Sequence, residues 1–134
     1  MFVILVLLWI ILFNKKDNSP DDFEKKTYCR SLYNEVYDSL DEQINRHDNT
    51  ISIFMSNFDF FYSKKTDSCV VSYVRMVTYY DSDQRVNSDT YIIKDYLSEN
   101  NIFYCVQSDD NFDEYLNKNC YENWNKKLEE LKGN

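Results

Sequence analysis

The stretch Ile51–Tyr80 reads ISIFMSNFDFFYSKKTDSCVVSYVRMVTYY, and its reading decides the fold. Two runs rich in Ile, Val, Phe, Tyr, Thr and Met, Ile51–Ser63 and Cys69–Tyr80, flank the polar pentapeptide Lys64-Lys65-Thr66-Asp67-Ser68. Such residues suit a pleated, half-buried surface, and a charged break between them is turn chemistry, so the stretch predicts two strands around a turn. Alternation along the second strand puts Val70, Val74 and Met76 on one side and Val71, Tyr73 and Val77 on the other. A strand apolar on both sides must be covered on both, or leave one side as a sticky patch.

On the C-terminal side, Asp81–Asp89 (DSDQRVNSD) predicts a surface loop. Tyr91–Leu97 and Ile102–Gln107 predict two further strands joined by Ser98-Glu99-Asn100-Asn101, an ordinary hairpin length. Within that hairpin Ile93, Leu97, Ile102 and Tyr104 are expected to oppose Ile92, Tyr96 and Phe103. From about Asp110 to Leu131 a helix is expected, with Phe112, Tyr115, Leu116, Cys120, Trp124 and Leu128 along one side.

On the N-terminal side, Phe23–Arg46 carries Cys29, Leu32, Tyr33, Val36, Tyr37, Leu40 and Ile44 at helical spacing. Asp21, Asp22 and Glu24 suit the positive end of that helix, and His47–Thr50 (HDNT) ends it. Before it, Asn14–Asp22 is a polar linker with the only Pro, and Met1–Phe13 (MFVILVLLWIILF) is apolar without a break. As a helix, that run would reach roughly 20 Å, short of the ~30 Å hydrocarbon layer. Its length suits the apolar core of an export signal, although a basic stretch before it and a small-residue cleavage pattern are both missing. Met1–Phe13 is therefore expected to be an export signal or membrane anchor; the alternative makes it part of the core of a cytosolic domain. The expected fold class is α+β: an N-terminal apolar helix, then a helix, a four-stranded antiparallel sheet and a helix. Residues 23–134 form its single domain.

Cys29, Cys69, Cys105 and Cys120 all follow the apolar run, and an even number in a small exported domain points to disulfides. Their spacings of 40, 36 and 15 contain no C-x-x-C pair, so a zinc site is disfavoured. If the four strands follow one another in chain order, Cys69 and Cys105 stand two strands apart, roughly 10 Å, too far for a bridge. Cys29–Cys69 and Cys105–Cys120 would instead each tie a helix to the sheet. Cys29–Cys120 with Cys69–Cys105 requires a different strand order, and four reduced thiols would accompany the cytosolic alternative.

Composition narrows the function. In 134 residues there are 23 Asp plus Glu against 15 Lys plus Arg, a net charge of −8. That balance speaks against nucleic-acid binding and against attraction to anionic lipid heads. A single Gly, Gly133, leaves no phosphate-cradling loop, and no cofactor is expected. A single His, His47, excludes two-His metal sites and has no motif partner for catalysis. Asp81, Asp83, Asn87 and Asp89 alternate as calcium ligands do. Arg85, Val86 and Ile92 occupy positions that an EF-hand cannot give them, so no metal site is expected. The 12 Tyr, 9 Phe and 2 Trp are more informative. Tyr73, Tyr91, Tyr96 and Tyr104 are the candidate binding face, on strands whose two sides both look apolar. The plainer reading has the two helices covering opposite faces, with Tyr merely suiting half-buried strands.

Phe60-Phe61-Tyr62-Ser63-Lys64-Lys65-Thr66-Asp67-Ser68-Cys69-Val70 resembles a segment of small exported proteins from ultrasmall, uncultivated bacteria. There Phe-Tyr-Ser-Pro-Lys is followed by Ser or Thr, Cys and an apolar residue; Lys64 stands here where Pro is common. Ile93-Lys94-Asp95-Tyr96-Leu97-Ser98 with Ile102-Phe103 is similar to that group's Asp-x-Leu-Thr hairpin, and Cys29 matches its early helical Cys. The resemblance spans about residues 28–105. It implies export and layout, and carries no catalytic residues. The expectation is a non-enzymatic binding or envelope-structural domain on the outer side of a bacterial cytoplasmic membrane, held by residues 1–13 and meeting an envelope protein or glycan. The alternative is a small cell-envelope hydrolase using acidic residues.

Overall fold

Strand β3 (Ser68–Asp81) lies in the middle of a five-stranded antiparallel sheet whose strands follow chain order: β1 (Arg46–His47), β2 (Ile51–Ser63), β3, β4 (Gln84–Asp95) and β5 (Asn101–Ser108). Helix α1 (Asp22–Ile44) precedes the sheet and α2 (Cys120–Lys132) follows it. The computed structural model describes residues 21–81, 84–108 and 119–133.

The alternation of β3 sorts the core into two. Val70 and Val74 pack with Tyr91, Ile93 and Cys105 beneath Cys120, Trp124, Leu128 and Leu131 of α2. Val71 and Tyr73 pack with Phe60, Tyr62 and Ile92 beneath Cys29 and Val36 of α1. Each helix therefore takes one face, and the sheet is the middle of three layers. The Trp124 indole N–H also donates to the Ile92 carbonyl at 3.3 Å, fixing α2 over β4.

Both helices obey their local chemistry. Asp22 and Glu24 lie in the first turn of α1, and the N–H groups of Glu24 and Lys25 donate to the Asp21 carbonyl at 2.9 and 3.2 Å. At its other end the Asn45 side-chain carbonyl accepts the Met55 N–H at 2.9 Å, tying the end of α1 to β2. Helix α2 stops at Gly133, whose φ of 79° is the left-handed cap that glycine takes without steric cost.

The expected layout needs correction. The sheet has five strands rather than four, because Arg46–His47 pairs with Ile53 and Ser52 as a short edge strand. The expected surface loop Asp81–Asp89 is largely strand: β4 begins at Gln84, and Arg85–Asp89 pairs with Met76–Tyr80. Backbone pairing rather than apolar burial holds that end, so its residues stay polar and mimic a loop. In the last hairpin Tyr104 stands opposite Ile92, and Phe103 opposite Ile93, the reverse of the expected grouping. A register shift at Ile93/Lys94 and the turn at Glu99, φ 57°, set that offset. The expected apolar helix at Met1–Phe13 and the first part of the expected Asp110–Leu131 helix lie outside the described residues; described helix begins at Cys120.

The β2–β3 turn clamps both helices. Lys64 pairs with Asp22 at 2.8 Å, and Lys25 pairs with Asp67 at 2.5 Å. Lys65 pairs with Glu130, and the Ser63 hydroxyl donates to the Leu131 carbonyl at 2.9 Å. Two disulfides complete the attachment: Cys29–Cys69 joins α1 to β3, and Cys105–Cys120 joins β5 to α2, each with Cα atoms 5.6 Å apart. This is the helix-to-sheet pairing expected from chain-order strands, and it points to an oxidising compartment.

Closing loops of 40 and 15 residues removes unfolded-state entropy worth about 4 and 3 kcal/mol. In urea unfolding the C29S/C69S pair should therefore cost slightly more than C105S/C120S; a domain equally stable with and without reductant would contradict this. A second expectation concerns acid. The Asp48 carboxyl is held at about 2 by the Thr50 hydroxyl first, then by the N–H groups of Thr50 and Ile51, opposed by burial, with Arg46 adding a little. A depressed carboxylate stabilises fully above its unfolded value near 3.9 and loses that contribution as pH falls toward 2. Carbon-detected NMR titration should show the Asp48 carboxyl titrating well below the ordinary aspartate range, and D48N should flatten the acid limb of stability.

A candidate binding cleft beside helix α1

Helix α1 lies mainly along β2, so among the described residues no helix covers the β4 and β5 part of its face of the sheet. A cleft of about 340 Å³ opens between α1 and the end of β4 with the turn that follows it. Val36, Leu40 and Val71 supply apolar surface; Glu35, Ser39 and Gln43 of α1 stand on one side, with Lys94, Tyr96 and Glu99 on the other. The α1 contribution follows from helical geometry. Glu35, Ser39 and Gln43 recur every four residues, immediately before Val36 and Leu40 of the buried stripe. One row packs against the sheet, and its neighbour becomes the polar rim.

The four tyrosines expected to form a binding face do not share one surface. Tyr91 is 7% exposed on the α2 face, its ring 6.0 Å from Trp124 and 6.2 Å from Tyr121. Tyr73 is 5% exposed on the α1 face, and burial pushes its hydroxyl pKa up. Tyr96 lines the cleft and packs edge-on against Phe60, with ring centroids 5.2 Å apart. Tyr104, 59% exposed, projects from β5 on the same face, because its cross-strand partner is Ile92. The structure thus brings Tyr96 and Tyr104 to accessible positions on one face, with Tyr73 in the core of that face and Tyr91 on the other.

The charged groups at the cleft differ in what they are free to do. Asp95 accepts the N–H groups of Leu97 and Ser98 at 3.0 and 2.9 Å. Burial raises its pKa, but hydrogen bonds from Ser68, Ser98 and Leu97 outweigh that and leave it below the ordinary value. Those two N–H bonds make Asp95 the residue that forms the β4–β5 turn. The side chains of Glu35, Glu99 and Lys94 have no hydrogen-bond or ion-pair partner among the described residues. Glu99 is also held at a φ of 57°, a conformation disfavoured for a residue with a Cβ.

Elsewhere the chemistry is sparse. His47 is exposed on the two-residue strand β1. Among the described residues no group of three or more His, Cys, Asp and Glu side chains is placed to hold a metal ion. The four cysteines are consumed in bridges. The rim residues Glu35, Ser39, Gln43, Lys94 and Glu99 were not singled out from sequence; the i, i+4, i+8 polar row beside the apolar stripe is the signal that identifies the first three.

Replacing Glu99 by Gly should relieve the backbone and raise stability by about 1 kcal/mol, measured by urea unfolding, while removing a carboxylate from the cleft. A loss of stability in E99G would show that the carboxylate holds the turn and is not available to a ligand. Comparison with protein-family models, with curated proteins and with solved structures returned no match.

Proposed function

We propose that this protein is a non-enzymatic binding domain on the outer side of a bacterial cytoplasmic membrane, held by Met1–Phe13, and that the cleft between α1 and β4–β5 takes a glycan of the cell envelope. The observation that carries the reading is an apolar-floored cleft lined by Tyr96 and rimmed by Glu35, Gln43, Lys94 and Glu99, with exposed Tyr104 on the same sheet face outside its lining. Sugar rings present apolar C–H faces and a rim of hydroxyls. A tyrosine ring and a ring of carboxylate, amide and ammonium groups answer both. Two disulfides agree with a compartment outside the cytoplasm. The bacterial envelope and the membrane anchor rest on the apolar run and on the resemblance of Phe60–Val70 to exported bacterial proteins.

Soluble glycan fragments released from bacterial cell wall should bind the detergent-solubilised full chain in calorimetry. Y104A and E35A should each weaken binding by about fivefold without changing the unfolding midpoint. Absence of binding, or binding indifferent to both substitutions, overturns the reading. Appearance of new reducing ends that E35Q or E99Q abolishes would establish the hydrolase alternative instead.

A further inference from the structure

One end of the molecule gathers the start of α1, the end of α2 and the β2–β3 and β4–β5 turns. Three of the four most exposed large apolar side chains among the described residues are there: Phe23 at 73%, Leu97 at 69% and Tyr28 at 54%. Phe23 and Tyr28 are five residues apart on α1, about 7.5 Å along its axis. Tyr28 and Leu97 line one groove of about 320 Å³, together with Tyr62 and the Cys29–Cys69 bridge. Exposed phenylalanine and leucine without cover are costly in water, and tyrosine is at home where water meets lipid.

We infer that this end of the domain sits in the interfacial layer of the bilayer, with Phe23, Tyr28 and Leu97 as its lipid contacts. The inference rests on the anchoring role proposed for Met1–Phe13 and extends it to the folded domain. Only the seven residues 14–20 separate Phe13 from Asp21, a tether of about 25 Å even when fully extended. The chain enters the domain at Asp21, at this same end, so an anchored leader brings these side chains to the membrane before any others. Around the contact, Lys25 pairs with Asp67, Lys64 with Asp22 and Lys65 with Glu130, so three of the carboxylates gathered at this end are matched by lysines, while Glu24 in the groove and Glu99 in the β4–β5 turn have no ion-pair partner among the described residues. Asp38, Asp41, Glu42 and Asp48 lie toward the opposite end, away from anionic head groups.

The test uses the full chain in phosphatidylcholine vesicles, with Trp9 replaced by Phe so that buried Trp124 is the constant background. An indole is introduced by L97W at the contact, or by N49W in the turn at the opposite end. Lipids brominated on the acyl chain should quench the L97W protein by roughly half beyond the background and leave N49W unchanged, as expected for an indole at interfacial depth. If the chain floats with the vesicles but L97W is quenched no more than N49W, the anchor stands and the interfacial face is overturned. That outcome includes cover by the leader or by a second copy. A chain that does not float with the vesicles overturns the anchor and this inference together.

Discussion

Val70 and Val74 on one side of β3, and Val71 and Tyr73 on the other, are all more than nine-tenths buried. Each such side chain contributes on the order of 1.5–3 kcal/mol when removed from water, so the middle of the sheet holds only with a helix on each face. The shorter helix is not an independent unit. Helix α2 has 13 residues, near the length of about 12–15 at which isolated helices are marginal in water. The two bridges and the clamps from the β2–β3 turn keep the helices where β3 requires them. Ser63, Lys64, Lys65 and Asp67, next to the central strand, reach the start of α1 and the end of α2 within one short connection.

Burial governs what could be read from the residues. The β2–β3 pair, α1 and the C-terminal helix from Cys120 were legible because their apolar spacing is the cause of their packing. Cysteine pairing was legible too, once strand order limited which sulfurs could meet. The first half of β4 was not, since Arg85–Asp89 contributes backbone hydrogen bonds to β3 and little apolar surface. Arg46–His47 is too short to alternate. The β4–β5 register escaped for a different reason: alternation orders side chains within a strand, whereas a shift at Ile93/Lys94 offsets one strand against the next.

The same distinction separates the tyrosines from the cleft. Twelve tyrosines marked the sheet as suited to contacts but could not say which were covered. Coverage depends on α1 lying along β2 rather than across the sheet, a consequence of Cys29–Cys69 and the pairs at Asp22 and Lys25. That off-centre seat buries Tyr73, exposes Tyr104 and opens the space between Glu35 and Lys94. The cleft is thus a by-product of where the helix is stapled. The staple also holds the start of α1, and with it Phe23 and Tyr28, at the end of the sheet that carries the β2–β3 and β4–β5 turns.

Two helices stapled to opposite faces of one sheet in an oxidising compartment is the central claim, and peptide mapping of the natively produced chain addresses it directly. Alkylation without reduction, then proteolysis and mass spectrometry, should recover Cys29 linked to Cys69 and Cys105 linked to Cys120, with no alkylated cysteine. Four alkylated thiols would contradict both the compartment and the stapled architecture, and a Cys69–Cys105 link would contradict the strand order.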